Sequence, residues 1–174
     1  MSGVGRLRSF SRDCSRPEVE ISMLSEGTTV ELLDEVRSAW GWVGIEPVEL
    51  IDDNDFGNLI LKDVCGQYWR LCPEDLYCEV VASSREELDR VSKDQEFLRH
   101  WYMRGLVDQA FQRLGALTPG RKYCLKIPGV LGGEYGGDNL GTISHDELIR
   151  ASGHIAQQIS ALPDGASIKL SVSE

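Results

Sequence analysis

Apolar positions in this chain change spacing several times, and each change marks an element. Leu32, Leu33, Val36, Ala39 and Trp40 recur at helical spacing behind Thr28 and Glu31, a pair that suits a helix start. Gly41 to Gly44 should end that helix, and Pro47 blocks its continuation. Leu59 to Lys62 and Gln67 to Leu71 flank the turn Asp63-Val64-Cys65-Gly66, which predicts a hairpin. Tyr77 to Ala82 reads as a third strand after the Pro73-Glu74-Asp75 turn, completing an antiparallel meander. A helix should open at Ser83 or Ser84, with Glu86 or Glu87 as capping partner. A second is predicted from Asp94 to Leu114, stopped by Gly115. Its stripe of Met103, Leu106, Val107, Ala110 and Leu114 is widened by Phe97, Leu98, Trp101 and Phe111. So broad a face implies burial against both a sheet and another helix.

The stretch from Tyr123 to Gly165 repeats this punctuation more tightly. A β-type run, Tyr123 to Ile127, ends at Pro128, which cannot donate to a central ladder. A glycine-dense loop follows, then a short strand from Gly141 to Ile143. Ser144 and Glu147 form a capping box, each side chain answering a backbone N–H. The helix they open presents Leu148, Ile149, Ala151, Ile155, Ile159 and Leu162 on one stripe. Pro163-Asp164-Gly165 turns into a last strand, where Ile168, Leu170 and Val172 alternate with Ser167, Lys169 and Ser171. These elements predict an α+β fold with a mainly antiparallel sheet of five or six strands and helices packed against it. Residues 1–20 read as a flexible basic tail, although Glu18 to Met23 has the makings of a short strand. Residues 21–174 are expected to form a single domain, and a chain of 174 residues can bury roughly 70% of its unfolded surface.

Charge sharpens the functional expectation. The net charge is −10, while residues 1–16 set Arg6, Arg8, Arg12 and Arg16 against Asp13 alone, so the remainder carries −13. A body that acidic repels nucleic acid and anionic membrane, both of which need a positive surface. It attracts a basic partner and speeds the encounter at low salt. No apolar run approaches the roughly 20 residues a spanning helix needs, and the N-terminal stretch lacks the apolar core of a secretory signal. The five cysteines, Cys14, Cys65, Cys72, Cys78 and Cys124, contain no C-x-x-C pair, which suits a reduced, cytoplasmic protein.

Candidate chemistry is sparse. Glu46 to Asp55 is an acidic connector, but its DDNDFG core lacks the alternating ligands and distal glutamate of a calcium loop. The glycine loop places Glu134 and Asp138 where a phosphate loop wants a cation. Gaps of seven and six residues between Cys65, Cys72 and Cys78 do not match structural zinc pairs, so neither a metal nor a cofactor is expected. Cys124 or Cys72 with His100, His145 or His154 offers a thiol site only if the fold brings them together. His145 falls in a first helical turn, where the dipole disfavours imidazolium. Trp69 and Trp101 read as core, and Trp40 and Trp42 as a helix end beside the acidic connector.

Several segments together resemble a known family. FGNLILKDVCGQYWRLCPEDLYCEVVA, FLRHWYMRGLVDQAFQRLG, YCLKIPGVLGGEYGGDN and SHDELIRASGHIAQQISALPDG are similar to bacterial type VI secretion immunity proteins, over roughly Phe56 to Val172. The most specific pieces are Trp69-Arg70-x-Cys72-Pro73-Glu74-Asp75-Leu76 and the LGGEY-x-x-x-N run from Leu131 to Asn139. Members of this type include the C-terminal domain of an immunity protein against a secreted DNase, and Ile21 to Asp55 is too short for the separate N-terminal domain that longer members carry. The resemblance implies neutralisation of a toxin, with no catalytic motif to transfer. A nuclease presents a cationic groove, which a body of −13 suits. The expected partner is therefore a basic toxin, and the expected contacts are Asp52, Asp53 and Asp55 with Glu134, Tyr135 and Asp138. Two other classes stay open: a cysteine-dependent hydrolase, and a small-ligand sensor with an enclosed pocket beside Gly132 and Gly133.

Overall fold

The computed structural model describes residues 26–163, 165, 166 and 168. The tail expected over 1–20, the strand over Glu18 to Met23, and the last strand through Leu170 and Val172 lie outside the described residues. The elements run α1 (Glu26–Trp40), β1 (Pro47–Asp53), β2 (Leu59–Asp63), β3 (Tyr68–Cys72), β4 (Tyr77–Ala82), α2 (Arg85–Val91), α3 (Gln95–Tyr102), α4 (Arg104–Leu114), β5 (Arg121–Leu125), β6 (Leu140–Ser144) and α5 (His145–Ile159). The class is α+β, as expected, and all strand pairs are antiparallel. The six strands divide into a four-stranded meander, β1-β2-β3-β4, and a two-stranded hairpin, β5-β6.

The meander is covered on both faces, which explains the unbroken apolar run of its inner strand β2. Leu59 and Leu61 turn to one side, where Leu71 and Cys78 join Val36, Ala39 and Trp40 of α1 and Ile149 and Ala156 of α5. Ile60 turns to the other side, where Tyr68 and Ala82 meet Leu88 of α2 and Trp101 of α3. A third cluster holds Phe56, Tyr123, Leu125 and Leu140 against Ala110 of α4, fastening that helix to the hairpin. Helices α1 and α5 approach closely: a Cβ on Gly153 would come within 2.5 Å of the Ala39 carbonyl oxygen. Trp40 Nε1 donates to the Ile149 carbonyl across the same seam at 3.1 Å. All five stripe residues assigned to α1 are buried, although the helix begins at Glu26, ahead of Thr28.

Three expectations need correction. The acidic connector is largely strand β1. Its register slips between Pro47 and Glu49 and again between Leu50 and Asp52, and two bulges reset the alternation by which a strand is recognised. Proline at the strand start and acids along its length also suit a sheet edge, since both discourage pairing with a further strand. The helix expected from Asp94 to Leu114 is two helices, broken at Met103, which takes a left-handed conformation (φ 42°, ψ 39°). The physical reason is that its stripe serves two cores: Phe97 and Trp101 face the meander, while Leu106, Val107 and Ala110 face the hairpin. The break is fixed by polar side chains that take the last carbonyls of α3. Asn54 Nδ2 donates to Trp101 O at 2.7 Å and Arg70 Nη2 to His100 O at 3.2 Å. Finally, the buried face of α5 runs through Leu148, Ile149, Ser152, Gly153 and Ala156, whereas Ala151 and Leu162 are exposed. Helix-to-helix contact with α1 selects small residues there over large ones.

Candidate functional site

The two most specific sequence segments meet in space. The turn after β3 carries Glu74 and Asp75, and the glycine loop after β5 folds onto it. Gly129 N donates to Glu74 O at 2.8 Å, and the Tyr135 hydroxyl donates to Asp75 Oδ1. The loop has little room for other sequences. A Cβ on Gly133 would overlap the Ile127 carbonyl, and one on Gly129 would overlap the Tyr135 ring. Asn139 clamps it from within, accepting from Ile127 N (2.9 Å) and donating to Ile127 O (2.9 Å) and Glu134 O (2.8 Å). Glycine is needed here for close backbone approach, which explains a phosphate-loop density of glycine without a phosphate-loop charge pattern.

Beneath this contact lies a buried polar group. Asn58, Arg70 and Glu74 are respectively 0%, 7% and 4% exposed. Arg70 Nη2 donates to Asn58 Oδ1 at 3.0 Å, and Asn58 Nδ2 donates to both Glu74 oxygens at 2.9 and 2.7 Å. The Arg70 guanidinium lies 5.8 to 5.9 Å from the ring centres of Tyr77, Phe97 and Trp101. Its Nε has no hydrogen-bond partner. Burial pushes the Glu74 carboxyl above the ordinary carboxylate range, against the hydrogen bonds from Asn58. Arg70 and Glu74 floor an open cleft of about 540 Å³ between the β3–β4 turn, the α3–α4 break and Tyr135, with Arg99 and Arg104 on its rim. Glu74 is tied to the loop through its backbone carbonyl and Asp75 through its side chain, and the Arg70 side chain also fixes the helix break, so the network sets the cleft's shape.

Sequence reasoning placed contacts elsewhere. Asp52 and Asp53 end the edge strand β1, and Asp55 follows it. Asp53 pairs with Lys122 of β5, so part of its charge is spent internally. Partial burial raises the Asp52 carboxyl above its ordinary value. Asp53 and Asp55 line a second cleft, of about 490 Å³, with Arg121, Lys122 and His145. Tyr135 lines the first cleft instead, and Asp138 is exposed and paired with Arg113 of α4. Glu134 is exposed. The two expected groups of contacts therefore do not share a cleft. Arg70, Asn58 and Asn54 were missed. The available signal was a charged residue inside an apolar strand, with two asparagines just ahead of the run that pairs with it.

Among the described residues the thiols are not activated as nucleophiles. Cys72 is buried beside Glu74 and Asp75, and burial first and those carboxylates second push its thiol far up. Burial pushes Cys78 up to about 12 and raises Cys124 as well. His145 is buried at the head of α5, its Nε2 3.4 Å from Gly57 O. Burial, then the Lys122 charge, lower it to about 4, so it is neutral at pH 7. Among the described residues no three His, Cys, Asp or Glu side chains gather as a metal site, and no helix is long and apolar enough to cross a membrane.

Comparison with known proteins bears on the same region. Residues 82–156, from the end of β4 into α5, match the family described as T6SS immunity protein Tdi1, C-terminal. Over this segment the chain is similar to type VI secretion immunity proteins. The segment contains the α3–α4 break, the glycine loop with its Asn139 clamp, and the capped start of α5. The β2–β3 hairpin and the turn with Glu74 and Asp75 lie before it. No curated protein matches the chain.

Proposed function

We propose that the chain binds a cognate secreted toxin one to one and blocks it, and that the toxin is a basic nuclease whose substrate cleft is occluded by the acidic surface of this protein. The family of residues 82–156 carries the reading, since it joins the chain to type VI secretion immunity. The net charge of −10 supports the choice of a nuclease, because the groove that binds phosphates is positive. In this reading the chain turns over nothing, works in the cytoplasm without cofactor, and residues 21–174 act as one inhibitory unit. Asp52, Asp53, Asp55, Glu134, Tyr135 and Asp138 supply the contacts. The raised thiols argue against a cysteine-dependent hydrolase, and the cleft that receives Tyr135 does not reach Gly132 or Gly133, where a loop-based sensor would need it.

The test is protection in cells. Co-expression with the toxin encoded beside it should restore growth, and the two purified proteins should co-elute. Continued killing with no complex would end the neutralisation reading. Replacing Asp52, Asp55, Glu134 and Asp138 by lysine should slow association and reduce its salt dependence. An unchanged association rate would remove those contacts while leaving neutralisation standing.

A further inference from the structure

The cleft floored by Arg70 is cationic within an acidic protein, and its chemistry is specific. Its wall includes the first turn of α4: Met103, Arg104, Gly105 and Leu106. No side chain caps this helix, and its first turn holds no acid. The N–H groups of Arg104 and Gly105 keep no partner among the described residues, whereas those of Leu106 and Val107 return to Met103 O at 2.8 and 3.0 Å. A helix N-terminus of this kind concentrates partial positive charge and open donors. A second observation points to the same ligand. Arg70 is 93% buried, lines the cleft, and leaves its Nε donor unanswered. That Nε is sealed from solvent, but the acceptors of Nη2 are neutral, Asn58 Oδ1 and the His100 carbonyl, and among the described residues no carboxylate pairs with the guanidinium, so an anion in the cleft offsets the cost of its buried charge. The opposing dipole end, at the close of α3, is already answered by Arg70 Nη2 and Asn54 Nδ2 on the His100 and Trp101 carbonyls.

We propose that this cleft binds an organic carboxylate, its oxygens held by the Arg104 and Gly105 N–H groups and the arginines, its carbon body against Tyr77, Met103 and Leu106. The walls decide between anions. Glu74 and Asp75 line the cleft, and the rim residue Arg99 is shared with Glu96 at 3.7 Å. Those carboxylates penalise a phosphate dianion more than a single negative charge. The volume, about 540 Å³, falls in the range of small-ligand sites, and a carboxylate on a protruding side chain of a partner protein presents the same chemistry.

The experiment titrates the folded, isotopically labelled chain with N-acetylglutamate, benzoate and inorganic phosphate at matched ionic strength, following backbone amides and binding heat. The carboxylates should move the Arg104 and Gly105 amides. Arg104→Gln should weaken binding by about tenfold, the loss expected for one hydrogen bond to a charged group. Gly105→Asp supplies a carboxylate from the helix itself, and a Cβ at Gly105 meets open space. That variant should fold as the parent does and bind none of the three probes. Unmoved amides, undiminished binding by Gly105→Asp, or phosphate binding tighter than both carboxylates would overturn the proposal. A final arm adds the catalytically inactive toxin. Displacement of the bound carboxylate assigns the group to the toxin, and simultaneous binding assigns it to a free molecule; either result supports the site. Failure of toxin binding leaves these titrations readable, so the two readings fail separately.

Discussion

Histidine 145 makes folding itself sensitive to pH over a defined window. It sits at 8% exposure in the first turn of α5, facing Lys122, Asp53 and Asp146, and its pKa falls from the ordinary 6.5 to about 4, burial being the largest cause. In the unfolded chain the imidazole takes a proton below about 6.5. In the folded chain it stays neutral until about 4. Between these values the unfolded state binds more protons, so stability rises with pH there and is lost as pH falls from 6.5 towards 4. At about 1.4 kcal/mol per tenfold difference in proton affinity, the full loss is roughly 3 kcal/mol. His145→Gln removes the titration and keeps a polar side chain opposite Gly57. Urea unfolding of parent and variant at intervals from pH 7.5 to 4 isolates this one group, because every other carboxylate and histidine is common to both. The difference in unfolding free energy should change by about 3 kcal/mol across the window, in favour of the variant at the acid end. A flat difference curve would show that His145 is solvated, and would undo the reasoning that places it in the buried seam between β5 and α5.

Two further substitutions probe the cleft. Gly133→Ala must displace the Ile127 carbonyl and open the Asn139 clamp, and an overpacking cost of about 2–3 kcal/mol is expected. Gly132→Ala, in open space at φ 85°, should cost only the left-handed backbone, about 1 kcal/mol; thermal unfolding that ranks the two in the reverse order would refute the account of the loop. Glu74→Gln holds the buried side chain in its neutral state. Because the Glu74 pKa is raised on folding, the parent is unpenalised below the ordinary carboxylate value and loses stability as pH rises through the raised one. The variant's advantage should therefore grow from pH 4 to pH 8 in chemical unfolding, and an advantage that shrinks would reverse the assignment.

Legibility in the sequence followed the regularity of the local geometry. Strand β4 was read at its true limits, and the β2–β3 hairpin, the Ser144 cap and the α1 stripe were read nearly so, because period and turn chemistry agree there. Strand β1 was hidden by two bulges. The Met103 break was hidden because a stripe that serves two cores has the same spacing as one that serves a single core. The Ser144–Glu147 pair was correctly placed but differs in detail: Ser144 Oγ accepts from Glu147 N and donates to its carboxylate at 2.7 Å. The cleft was the least legible part. Its donors are main-chain groups at a helix start, which carry no residue type, and its floor is Arg70 and Glu74, joined through Asn58 and brought together by pairing of β2 with β3 and by the turn that follows.

Why bury three polar side chains under a cleft at all? Buried charges cost desolvation that their own contacts repay poorly, so such a group is weak evidence of stabilisation. Arg70→Met alone would leave Asn58 Oδ1 and His100 O short of a donor above a buried carboxyl, and a loss of about 3–5 kcal/mol is expected. Replacing the whole group, Asn58→Leu with Arg70→Met and Glu74→Leu, exchanges it for apolar side chains among Tyr77, Phe97 and Trp101, and should recover most of that loss. If the group is kept for binding, the triple variant will fold cooperatively, exceed Arg70→Met in stability, and take up neither N-acetylglutamate nor benzoate. A triple variant less stable than the single one would make the network a structural device, and one that still bound carboxylates would deny Arg70 any part in the site.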